Sequence, residues 1–204
     1  MVIPFNPIYL RLDVDRAVAD ININKPLAHL LNLYKLQTGL PAPFFLEHVY
    51  LTKEFLKKYN IRRIWFFRPF TCPDEFDEPH GLHSYSPKFF PKELEIVESK
   101  LGTVKYFTRH GARGISLMQK RIYSHHLFHN LLRISGRPWK KDEIKRIEKE
   151  YDVIDVTDRK HRAISGLTSN YNLSDIEQIL FHPCYIKTHK HVLKKVLDEL
   201  KCSK

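Results

Sequence analysis

The chain has 204 residues, with 34 Lys and Arg against 23 Asp and Glu, a formal charge of +11 and a pI near 9.5. That excess points to a polyanion such as nucleic acid as partner and says nothing about fold. Three cysteines, Cys72, Cys184 and Cys202, far apart and without a CxxC pair, argue against a disulfide framework or a four-cysteine zinc site, while the opening "MVIPFNPIYL" is no signal peptide and no apolar run approaches a membrane span, so a soluble intracellular protein with no membrane partner is expected.

In chain order, "IYLRLDV" (8–14) alternates apolar and polar residues and predicts a strand. "PLAHLLNLYKLQ" (26–37) opens on proline, spaces its leucines at i, i+3 and i+4, and predicts a helix ended by Gly39 and Pro41. "LEHVYLTKEFLKKYN" (46–60) predicts a second amphipathic helix, and "IRRIWFF" (61–67) a strand with Arg62 and Arg63 at its mouth. Residues 68–91 hold five prolines and a glycine and predict a long loop or inserted lobe. "KELEIVESKL" is a short helix; "GTVKYFT" and "GISLMQKRIY" are expected as the two strands of a hairpin joined by "RHGARG". "SHHLFHNLLRI" (124–134) fits a helix, "KKDEIKRIEKEYD" (140–152) a charged surface helix, and "DVIDV" a short strand carrying Asp155. "LSDIEQILF" (173–181) predicts a helix behind a Ser174 cap, and "THKHVLKKVLDELK" a closing amphipathic helix. Strands and helices mix without a βαβ rhythm, and the apolar content, 43%, suffices for a core. The expectation is one mixed α/β (α+β) domain over 1–204, a small and largely antiparallel sheet flanked by helices, with 68–91 as an insertion.

Three stretches can carry chemistry. In "LRLDVD", Asp13 and Asp15 are two apart on a strand and point the same way, so they repel unless solvated or bridged by a hard cation such as Mg²⁺ or Mn²⁺. In "RHGARGISL", Arg109 to Leu117, a glycine-basic turn exposes backbone N–H groups and two guanidinium groups suited to phosphate. In "YDVIDVTDRKHRAISGLTSN", a short strand delivers Asp155 ahead of Arg159, Lys160, His161 and Arg162. The plain alternatives are a solvated strand end, a hairpin tip and a charged surface loop. Of the histidines, His125 and His129 stand at i, i+4 and could bind zinc, but no second ligand pair follows. "HGLH" (His80, His83) and the run of His182, His189 and His191 read as solvated or capping. Aromatics such as Trp65, Phe66, Phe67, Phe89, Phe90 and Trp139 beside basic residues suit single-stranded nucleic acid, although core packing explains most of them.

Taken together and in this order, "LRLDVD", "HGARGISL" and "IDVTDRKHRAISGLTSN" resemble the archaeo-eukaryotic primase superfamily. The match covers about a fifth of the chain. The resemblance implies a small mixed sheet cradling a two-metal site, with Asp13, Asp15 and Asp155 as catalytic ligands of Mg²⁺ or Mn²⁺. It implies triphosphate contacts from Arg109, Gly111, Arg113, Gly114, Ser116 and Arg162. The implied activity is template-directed nucleotide polymerisation in DNA replication or priming. Nucleoside triphosphates and single-stranded or primed DNA or RNA would be the partners, with a second replication subunit as a further one. Two features depart from the family's pattern. Ser116 stands where the family has a phosphate-contacting histidine, and roughly 95 residues separate the first two motifs. Asp152 and Asp158 compete with Asp155 for the third acid, and strand placement favours Asp155. A noncatalytic nucleic-acid-binding replication protein of the same fold and a metal-dependent nuclease are the alternatives.

Overall fold

The computed structural model describes residues 8–14, 46–69, 71–84, 87–109, 139–157, 161–163 and 177–202. Its centre is a seven-stranded sheet in the order β5-β4-β3-β2-β1-β7-β6. The strands are β1 (Tyr9–Val14), β2 (Arg63–Phe67), β3 (His80–Ser84), β4 (Tyr106–Arg109), β5 (Ile154–Asp155), β6 (His161–Ala163) and β7 (Gln178–Phe181). Among the described residues four helices accompany it: α1 (Leu46–Leu56), α2 (Phe90–Leu101), α3 (Lys141–Tyr151) and α4 (Ile186–Cys202), the last led in by a 3-10 turn at Pro183–Tyr185.

Every pairing in the sheet is parallel, which corrects the expected antiparallel arrangement. The physical reason lies in β1. All six of its residues are buried, including Arg11 and Asp13, so its alternation separates two buried faces rather than core from water. One face carries Leu10, Leu12 and Val14 into the main core with Trp65, Phe67, Leu82 and Phe107, against Val49 and Leu56 of α1 and Leu193, Val196 and Leu197 of α4. The other face carries Tyr9, Ile64, Phe66 and Val156, with Tyr106 and Ile154 packed beside them.

Three further expectations are corrected. Residues 68–91, expected as an inserted lobe, supply β3, which lies between β2 and β4. The C-terminal part of "LSDIEQILF" forms strand β7, not a helix; Gln178–Phe181 is buried throughout, between β1 and β6. The predicted hairpin cannot use β4, whose two neighbours are β3 and β5, both parallel to it. The expected second hairpin strand, the expected helix over 26–37, "SHHLFHNLLRI" and residues 70, 85 and 86 of the Pro-rich stretch lie outside the described residues.

The sheet curls strongly. Arg11 Nη1 of β1 reaches the carbonyl oxygen of Thr157, just after β5, at 3.5 Å, and Gln178 Nε2 of β7 donates to the carbonyl of Val156 at 3.1 Å. In a flat sheet β5 would stand roughly 19 Å from β1 and roughly 24 Å from β7, at ~4.8 Å per strand, beyond the reach of either side chain. Read around the curl, the strands succeed one another in chain order, as in a parallel barrel with its seam between β5 and β6. Tyr9 Oη donates to Gln178 Oε1 at 2.6 Å, so one buried amide links β1, β7 and β5 across the concave face.

Candidate functional site

Because all strands are parallel, their carboxyl ends share one rim, and the crevice outside that rim is where such sheets bind ligands. β1 brings Asp13 there, β3 brings His83, β4 brings Thr108 and Arg109, Thr157 follows β5, and His182 follows β7. The parallel register explains why these residues meet. Asp13 pairs with Phe66, Phe66 with Gly81, and His83 with Thr108, so Asp13, His83 and Thr108 project from the same concave face.

Asp13 is the centre of the cluster. Arg11 holds it in a fork, Nε to Oδ1 at 2.8 Å and Nη2 to Oδ2 at 2.5 Å, with both side chains almost wholly buried. His83 Nδ1 lies 3.7 Å from Asp13 Oδ2 and 2.7 Å from Thr108 Oγ1. His182 Nδ1 lies 3.2 Å from the Asp13 carbonyl oxygen. Burial pushes the Asp13 carboxyl upward, but Arg11, His83 and His182 outweigh it and hold the group below its ordinary range. Burial likewise opposes the Arg11 charge, and Asp13, with Tyr9 and Asp155 adding to it, lifts that guanidinium above its usual value. The Arg11 guanidinium also sits 5.9 Å from the Phe66 ring centroid. Position 81 has to be glycine for this face to close: a Cβ there would stand 2.4 Å from the Tyr106 carbonyl oxygen and 2.7 Å from the Phe66 ring.

Asp155 belongs elsewhere. It pairs in register with Phe107, on the helix-covered face of the sheet, and its Oδ2 lies 2.6 Å from Arg109 Nε. Its Oδ1 accepts from the Thr157 hydroxyl at 2.6 Å and the Thr157 amide at 2.9 Å, and Thr157 Oγ1 in turn accepts from the Arg109 amide at 2.7 Å. Asp13 and Asp155 therefore occupy opposite faces, each committed to its own arginine. Of the three acids expected to hold a metal, Asp13 and Asp155 are described and stand on opposite faces, while Asp15 lies outside the described residues. Among the described residues no group of three or more His, Cys, Asp or Glu side chains gathers as a metal site. Arg162 lies on β6, and its side chain is not among those described. Asp15, Gly111, Arg113, Gly114, Ser116 and Asp158 fall outside the described residues, as do His125 and His129. Arg63, at the amino end of β2, forks onto Glu78 with Nε–Oε2 2.6 Å and Nη2–Oε1 2.8 Å, well away from the carboxyl rim.

The sequence reading missed Arg11, His83, Thr108 and His182 as site residues. Arg11 carried a signal: an arginine two before an aspartate in a strand stands on the same side and can fork onto it. His83 was hidden because "HGLHS" does not look like a strand. Among the described residues no helix is long and apolar enough to cross a membrane. Comparison with family models, with curated proteins and with solved structures finds no match in any of the three.

Proposed function

We propose that the chain acts on nucleic-acid phosphodiesters at the carboxyl rim, cutting them with His83 as the proton carrier beside the fixed negative charge of Asp13. The observation behind this reading is the meeting of Asp13, His83, Arg11 and His182 at the carboxyl ends of an all-parallel sheet. A buried imidazole beside an ionised carboxylate is acid–base equipment: it takes a proton from an attacking oxygen or gives one to a leaving oxygen. Arg11 keeps the Asp13 charge in place through the cycle. The net charge of +11 supports a polyanionic substrate. Cutting is preferred to joining because joining by two metals needs acids converging on one point, and Asp13 and Asp155 face apart. The second reading, primase-like polymerisation with Asp13 and Asp15 as Mg²⁺ or Mn²⁺ ligands, is supported by "LRLDVD", which brings Asp13 to the rim at the end of β1.

One experiment separates the readings. The full chain is incubated with end-labelled single-stranded RNA and DNA, and separately with a primed template and nucleoside triphosphates, each with and without Mn²⁺. Shortened products that slow about 100-fold or more in a folded His83→Ala variant support the cutting reading. Extended primers that vanish in Asp15→Asn select polymerisation. Binding with neither product selects the noncatalytic alternative, and the absence of any binding ends all three.

A further inference from the structure

A second arrangement begins where the site ends. His182, which touches the Asp13 backbone, is followed at helical spacing by Tyr185 and His189, one in the 3-10 turn and one in the first turn of α4. Their rings form a chain of contacts: His182 to Tyr185 at 6.2 Å between centroids and 83°, Tyr185 to His189 at 5.2 Å and 63°. All three residues are half-buried, so each keeps part of its surface toward solvent. The rungs are fixed. Tyr185 packs against the main core, and Thr188 Oγ1 lies 2.8 Å from His189 Nδ1 and donates to the Tyr185 carbonyl at 3.3 Å. The surroundings are strongly basic. From His182 to Lys195 the sequence "HPCYIKTHKHVLKK" holds Lys187, Lys190, Lys194 and Lys195, three histidines and no acid. Lys187, Lys190, His191, Lys194 and Lys195 are all exposed. Acids from outside this stretch, Glu47 toward Lys187 at 3.3 Å and Asp198 toward Lys194 at 2.5 Å, offset part of that charge, and Lys190 leans over the Phe55 ring at 5.3 Å.

We propose that His182, Tyr185 and His189 form a stacking ladder that leads one strand of nucleic acid between the carboxyl rim and the surface, its phosphates facing Lys187 and Lys190. The proposal rests on the nucleic-acid reading above and narrows it to single strands. Rings accept bases only when those bases are unpaired, and a sequence-tolerant single-strand track combines planar rings with a basic border. A duplex would meet the lysines but not the rings.

The test uses the full chain and a labelled single strand, with a duplex of the same length as comparison, and reads affinity by fluorescence anisotropy over a range of salt. Wild type binds the single strand more tightly than the duplex. His189→Ala and Tyr185→Ala each weaken single-strand binding about tenfold and leave duplex binding unchanged, while Tyr185→Phe retains it. Lys190→Ala lowers the slope of log affinity against log salt by about 0.7. His189→Ala keeps the test sound if Tyr185→Ala fails to fold, because the His189 ring lies at the surface end of the ladder. Unchanged single-strand affinity in a folded His189→Ala, or equal losses on single strand and duplex, overturns the ladder and leaves the cutting site standing. A wild type that binds no nucleic acid at all overturns both.

Discussion

Asp13→Asn keeps the shape of the side chain and removes the charge that Arg11 was built around. The fork is almost fully buried, so the variant leaves a guanidinium in the sheet without its counter-charge, a loss of about 3–5 kcal/mol of stability. Urea unfolding checks the size of that loss. Arg11→Met combined with Asp13→Leu replaces both charges by apolar groups and is expected to regain most of it. The same pair makes stability depend on acid. The Asp13 carboxyl is held below its ordinary range in the folded chain, so its contribution is complete above the unfolded value, about 4, and is lost as pH falls through the lower folded value. The thermal midpoint should therefore drop on acidification below about pH 4, and this part of the drop should be missing in Arg11→Met/Asp13→Leu. Cys72 offers a contrast: burial pushes its thiol up to about 12, so it stays protonated and unreactive at neutral pH.

At the scale of elements, the concave face is held together by two unusual residues. Gly81 lies where a side chain would strike the Tyr106 carbonyl and the Phe66 ring, so Gly81→Ala forces β3 away from its neighbours and costs about 1–3 kcal/mol by overpacking. Gln178→Leu removes the acceptor of the Tyr9 hydroxyl and the donor to Val156, at about 1–3 kcal/mol for each buried group affected. Both are measured by denaturant midpoints at constant slope. These positions also explain what could be read in advance. Helices α1 to α4 and strands β1, β2, β4 and β5 were legible, because apolar periodicity and charge pairs mark them directly. β3 was not, since a glycine demanded by close approach and a histidine demanded by the rim replace the β-branched residues that announce a strand. β7 was misread because the acids and the Ser174 before it imitate a helix start, while the strand itself is only "QILF". Strand direction was misread because strands and helices follow one another without a visible βαβ rhythm, whereas every strand pairing is parallel and the polar residues of "YLRLDV" face one another inside a curl.

On the proposed nucleic-acid reading, the charge of the whole molecule takes part in binding. With +11 overall, binding to nucleic acid should fall steeply between low and physiological salt, as counterions released on binding are no longer gained. A slope of log affinity against log salt near zero would mean that the lysines only solvate the surface; a slope of about −3 or steeper fits several phosphates held at once. At this scale the site was half legible. Asp13 was marked by its strand and its position, and the basic balance by composition. His83 and His182 beside Asp13, and Thr108 beyond His83, were not, because they are distant in sequence and only the parallel order of the strands brings them together.

That order also governs when the molecule can exist during its own synthesis. β1 sits between β2 and β7, and the hydroxyl of Tyr9 bonds a residue 169 positions later. A growing chain that has made everything through β5 still has one side of its central strand bare, with a buried ion pair waiting for a wall. The half-built sheet presents an open apolar edge of the kind that chaperones hold and that aggregates grow from. Emergence of β7 and of the helix that follows it is then the step that commits the fold, in keeping with the slow closure of long-range contacts. A chain halted after Asn170 should stay chaperone-bound or precipitate, and adding residues 171–204 as a separate peptide should restore soluble material if that late strand is what the sheet lacks.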